Sequence, residues 1–103
     1  MSYPANVDFE RDPSVTHARW KVYVRYCRRN LSFHEPRGVK VRALVALLVD
    51  ERGRHMKAHA VIEALNWLVR EGYLIDHGRD ETNTRQLSLA YERRCPEGNL
   101  SAA

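Results

Sequence analysis

Residues 57 to 76 constrain this chain more than any other stretch, because an amphipathic helix runs into a glycine and then directly into an apolar strand. At about 100° per residue, Ala58, Val61, Ile62, Leu65, Leu68 and Val69 gather on one side of that helix. His59, Glu63, Asn66 and Arg70 gather on the other. One side is expected in the core, the other free to meet a partner. Gly72 stands where a helix ends on a residue tolerant of left-handed dihedrals, and Arg70 sits near the negative end of the helix dipole. Residues 73 to 77 favour a strand, and residues 78 to 84 are polar and turn-rich. Residues 85 to 91 then alternate, with Leu87, Leu89 and Tyr91 on one face and Gln86 and Ser88 on the other. This pattern predicts a hairpin with a long hydrophilic tip.

A chain of 103 residues forms one domain with a single modest core, for which oligomerisation is a useful source of extra burial. The 44% hydrophobic and 29% charged composition is that of a soluble globular protein. No apolar run approaches the roughly 18 residues of a membrane span, and the N-terminus lacks the regions of a signal peptide, so a cytoplasmic location is expected. Cys27 and Cys95 are too few and too far apart for a disulfide framework or a zinc site. Cys27 reads as a small buried hydrophobe and Cys95 as part of a loose tail.

Charge is unevenly distributed along the chain. Residues 14 to 59 carry eleven Lys and Arg against three acids, whereas residues 1 to 13 and 60 to 103 are each mildly acidic. A basic centre of this kind suits a surface that faces a polyanion. A solvated basic face is the plainer reading of the same cluster.

The first thirteen residues, with Pro4, Asn6 and Pro13, read as a flexible arm, and residues 92 to 103 as a flexible tail. Ser14 is a candidate N-cap for a helix from Val15 to Asn30, in which Trp20, Tyr23, Val24, Cys27 and Leu31 follow helical spacing. Trp20, Val22, Val24 and Tyr26 also alternate as in a strand; the absence of internal Gly or Pro favours the helix. Residues 32 to 38 form a connector, and Val39 to Val41 a short strand able to pair with the later hairpin. The dense apolar run from Arg42 to Asp50 predicts a short buried helix. Residues 51 to 55 form a turn, and a long helix spans about Met56 to Glu71.

The order helix, strand, helix, turn, helix, strand, loop, strand resembles the winged helix-turn-helix DNA-binding domains. These include prokaryotic regulators of the multiple-antibiotic-resistance type. The resemblance covers about residues 14 to 91 and is most specific from Val61 to Leu89, where a helix ending Leu68-Val69-Arg70-Glu71-Gly72-Tyr73-Leu74-Ile75-Asp76 leads through the charged loop to Leu87-Ser88-Leu89. The turn at residues 51 to 55 is longer and more charged than is common in the family. The resemblance implies an α+β fold of three helices and a small antiparallel sheet with a wing hairpin. It also implies binding to double-stranded DNA with the long helix in the major groove.

By that analogy Lys57, His59, Ala60 and Glu63 match positions that approach base edges: Lys57 and His59 as donors, Ala60 against a thymine methyl, Glu63 as acceptor from cytosine. Arg42, Arg52, Arg54, Arg79 and Arg85 match phosphate or minor-groove positions, with Thr82, Asn83 and Thr84 supplying further hydrogen bonds at the wing. Asp80 and Glu81 beside them oppose phosphate, and local pairing of Arg79 and Arg85 is the alternative role. Trp67 lies off the centre of the apolar face, and packing within the chain is the favoured reading of it. Trp20, Tyr23 and Tyr26 exceed what one small core needs and mark a homodimer surface, in keeping with palindromic DNA sites.

The expected role is transcriptional regulation by a homodimer in a prokaryote or mobile element. A plasmid or phage centromere or origin binder would use the same surface. A winged-helix module that docks on another protein is the rival reading, favoured by Glu63, Asp80 and Glu81. His55, His59 and Glu63 recur every four residues, but no neighbouring Cys or His completes a metal site. The sequence contains no phosphate-binding glycine loop, nucleophile elbow or paired carboxylates, so neither an enzyme nor a cofactor is expected.

Overall fold

The computed structural model describes residue 9, residues 11–33 and residues 35–90. Helix α1 begins at His17 and ends at Asn30 in three continuous pieces: His17–Trp20, a wider π-helical stretch Lys21–Cys27, and Arg28–Asn30. Its N-cap is Thr16, whose hydroxyl accepts from the Arg19 amide at 3.2 Å. Ser14, expected in that role, lies two residues too early. The π turn, with its i to i+5 bonding, brings Val22 and Cys27 onto one inward line with Tyr23. Leu31 leaves the helix in an extended conformation and is itself buried.

Strand β1 (Arg37–Val39) lies two residues earlier than the sequence spacing suggests, and helix α2 spans Val41–Leu47. The expected extension of α2 to Asp50 fails because Leu48 turns extended, and Val49 instead bridges His55 across the turn. Asp50 organises that turn by accepting from the amides of Arg52 and Arg54 at 2.8 and 3.0 Å. The burial expected of the whole α2 segment is met by Leu44 and Leu48 but not by Leu47, which is 67% exposed.

Helix α3 (Ala58–Arg70) buries Val61, Ala64, Leu65, Trp67 and Leu68. Two residues assigned to its apolar side by periodicity, Ala58 and Ile62, are exposed. The core side is centred further toward Ala64 and Trp67, because α1 packs there. The helix ends in a paired cap in which Gly72, at φ 88°, donates to the Val69 carbonyl and Tyr73 donates to that of Leu68.

Strands β2 (Leu74–Arg79) and β3 (Arg85–Leu89) form the hairpin, and β1 adds antiparallel to β3, giving the order β1-β3-β2. The register slips between Asp76 and Arg79. Ser88, expected on the solvent side, is buried, with His77 Nε2 at 2.8 Å from its hydroxyl.

The described residues therefore form an α+β domain of three helices and a three-stranded antiparallel sheet. Its core joins α1, α3 and the sheet through an aromatic cluster. Phe9 lies 4.7 Å from Tyr23 and 5.1 Å from Tyr73, ring to ring, and Trp67 stacks on Tyr73 at 5.9 Å. Phe9 is fully buried, so the part of the expected arm that contains it belongs to the core; residues 1–8 and the expected tail lie outside the described residues. Cys27 is a free, buried thiol whose pKa is pushed up by burial, which makes it an inert packing group. Cys95 and Tyr91 fall outside the described residues.

Candidate nucleic-acid interface

A groove of about 660 Å³ runs between the outer edge of α3, the start of α2 and the β2–β3 hairpin. Ile62 and Asn66 form its α3 wall, Lys40, Val41 and Arg42 its α2 end, and Arg79 with residues 82–85 its hairpin wall.

The walls are tied together by Arg85. Its Nη1 donates to Asn66 Oδ1 at 2.8 Å, and its Nε donates to Asp76 Oδ2 at 3.0 Å. With its side chain only 18% exposed, Arg85 braces the groove and does not present a free cation. This corrects its expected role as a phosphate ligand and agrees with the alternative of local pairing. Burial pushes the Asp76 carboxyl up, but the Gly78 amide and Arg85 outweigh it and leave its pKa below the ordinary value. Arg79 donates to the Asn83 carbonyl at 3.0 Å yet stays exposed.

The hairpin tip is braced from within. Asp80 Oδ1 accepts from the amides of Thr82 and Thr84, both at 2.9 Å, and from the Thr82 hydroxyl at 2.7 Å. These bonds hold its pKa below the usual carboxylate range, in a turn where Asn83 adopts φ 64°. Asp80 is thus occupied with the turn. Glu81 remains exposed beside it.

The other residues matched to DNA positions separate onto different surfaces. Glu63 faces α1, where Arg19 donates Nε to its Oε1 at 3.2 Å and Nη2 to its Oε2 at 2.5 Å. The same guanidinium lies 4.5 Å over the Trp67 ring and donates to the Ser14 carbonyl. The Glu63 hydrogen bond is the main cause of a raised Arg19 pKa. Both Glu63 carboxylate oxygens are thus engaged by Arg19, although the side chain stays 49% exposed. Ala60 packs partly against the core and lines a small hollow beside Lys57 and His59, outside the larger groove.

Lys57 caps the start of α3 without a side-chain bond, and His59 follows it, both exposed. They border a small hollow with His17 and Glu51, outside the larger groove. Arg52 and Arg54 project from the turn and do not line the groove either. Arg42 and Thr84 do line it.

Sequence reasoning assigned Ile62 to the core side of α3, placed Asn66 on the partner side without a contact, and passed over Lys40. Asn66 was legible as a polar position on α3, but its bond to Arg85 depends on how the hairpin folds back. Of the three residues assigned to a homodimer face, Tyr23 is contradicted: it is 1% exposed, and burial raises its pKa to about 12. Trp20 and Tyr26 are partly buried on α1.

Among the described residues, no three His, Cys, Asp or Glu side chains gather as a metal-binding group, and no helix is long and apolar enough to cross a membrane. The groove defines the chain as a small α+β domain with a helix and a hairpin forming one continuous surface. Comparison with protein-family models, curated proteins and solved structures finds no match to this chain.

Proposed function

We propose that the chain is a winged helix-turn-helix domain that binds double-stranded DNA, with α3 in the major groove and the β2–β3 hairpin as the wing. The observation that carries this reading is the Arg85–Asn66 bond, which locks the outer edge of α3 and the hairpin into one surface. The element order and the β1-β3-β2 sheet agree with it. An α3 of 13 residues is about 20 Å long, and a helix fits the roughly 12 Å width of the major groove.

His59 and Ile62 stand on the exposed edge of α3. The first offers a hydrogen bond to a base or phosphate, the second an apolar contact for a thymine methyl. Lys40, Arg42 and Arg79 are exposed at the margins of the groove and suit phosphates, which fix position without reading sequence. Regulation of transcription, or of a plasmid or phage origin or centromere, follows from occupancy of such a site.

Of the expected dimer face on α1, Tyr23 is buried, and the partly buried Trp20 and Tyr26 stand beside Lys21, Arg25 and Arg29.

The test is selection of bound genomic fragments at about physiological salt. Wild type should recover a defined sequence motif, and His59→Ala/Ile62→Ala should lose or alter it. Lys40→Ala/Arg42→Ala should instead weaken binding to all fragments and reduce the salt slope by roughly 2. Folded wild type that enriches nothing would overturn the proposal.

A further inference from the structure

A second groove, of about 480 Å³, lies between the outer side of α1 and the end of α2. Among the described residues it shares no lining residue with the α3–hairpin groove. Lys21, Arg25 and Arg29 form its α1 rim, and Tyr26, Leu47 and Val49 contribute its apolar surface. Leu47 is 67% exposed and Val49 36%, although both belong to a segment dense in apolar residues.

The cations here are uncompensated. Among the described residues no Asp or Glu lines the groove, and α1 contains no acid anywhere along its length. Among the described residues, Lys21, Arg25 and Arg29 form no ion pair, whereas Arg19 on the same helix pairs with Glu63. Arg25 is held ready by its guanidinium, 5.2 Å over the Trp20 ring.

We infer that this groove docks an acidic amphipathic segment of a partner protein, with carboxylates on Lys21, Arg25 and Arg29 and apolar side chains on Leu47 and Val49. Charge complementarity selects this occupant. A second copy docked through this same face would bring the three cations against their like, an arrangement that costs association free energy. A nucleic acid would satisfy the cations and leave the exposed Leu47 and Val49 without apolar partners. An amphipathic peptide satisfies both halves of the groove. The surface lies apart from the proposed DNA face, so one domain can hold DNA and a protein at once.

The test is a display library of random 16-residue peptides selected on the full chain. Enriched peptides should carry Asp or Glu together with Leu, Ile or Phe at helical spacing. Their affinity, read by fluorescence anisotropy, should fall at least tenfold with Arg25→Gln/Arg29→Gln and at least fivefold with Leu47→Ser. These side chains are exposed, and circular dichroism melting checks that each variant folds. His59→Ala/Ile62→Ala should bind the peptides unchanged, which separates failure of this site from failure of the DNA reading. Absence of enrichment, enrichment without acids, or indifference to the Arg25/Arg29 and Leu47 variants would overturn the inference. So would loss of duplex binding, without loss of peptide binding, in Arg25→Gln/Arg29→Gln. A dimer in sedimentation that dissociates in the same variant would assign the face to self-association and overturn it as well.

Discussion

At the scale of single residues, the same charge does different work according to the atoms it meets. Asp80 reads in sequence as an acid that repels phosphate. Folded, its Oδ1 accepts two amides and a hydroxyl and holds the hairpin tip. Asp80→Ala should increase amide hydrogen exchange at Thr82 and Thr84 by roughly tenfold, as expected when buried or braced amides lose an acceptor. Asp80→Asn keeps an Oδ1 acceptor and should do less; equal exchange in all three proteins would show that backbone turns alone hold the tip. The pH dependence has a definite sign. Asp76 and Asp80 both titrate below the ordinary carboxylate value. Their contribution is therefore complete above the unfolded value of about 3.9 and is lost as pH falls through the lower folded values. Amide protection at the hairpin should decline below about pH 4, and it should decline less in Asp80→Asn, in which that carboxylate no longer titrates. Glu63, Arg85 and Ala60 make the same point about legibility. Their residue types suited DNA contact, but Arg19, Asn66 and the α1 packing surface, which engage them, come from distant parts of the chain.

At the scale of elements, the helix–glycine–strand junction was the most legible part of the chain. Its signal is local: Gly72 supplies φ 88°, and its own amide and that of Tyr73 close the end of α3. A Cβ at Gly72 would meet nothing within 4 Å. The cost of Gly72→Ala is then almost purely that of a left-handed dihedral, about 1–2 kcal/mol, measurable by urea unfolding. A change indistinguishable from zero would remove the junction as a stabilising device. Along α3, Leu65→Ala should cost about 2–5 kcal/mol, because Leu65 is 1% exposed. Ile62→Ala should cost less than half as much, since Ile62 is 43% exposed; equal losses would place Ile62 in the core after all. Periodicity assigned Ile62 and Leu65 to the same side, for it defines a wide apolar stripe but not which edge of the stripe is covered. The end of α2 was misjudged for a related reason. Apolar density at residues 44 to 49 suggested burial throughout, whereas the short helix covers Leu44 and turns Leu47 outward.

At the scale of the whole molecule, Phe9 closes the core from outside the three helices, between Tyr23 and Tyr73. Phe9→Ala should destabilise the domain by about 3–5 kcal/mol, read by chemical denaturation, and a chain beginning at residue 14 should lose at least as much. Wild-type stability in either would return that segment to the role of an arm. Local sequence determined the long amphipathic helix, its glycine stop and the hairpin after it, because backbone dihedrals, period and turn composition act between near neighbours. It also determined the concentration of basic residues in the middle of the chain. Tertiary structure decided which of those residues stay available: Arg19 turns inward to Glu63 and Trp67, Arg85 spans α3 and the hairpin, and Lys21, Arg25 and Arg29 face outward beside Leu47. Availability of a charge depends on which distant groups desolvate or pair with it, and those neighbours are set only when α1, α3 and the sheet close on one core.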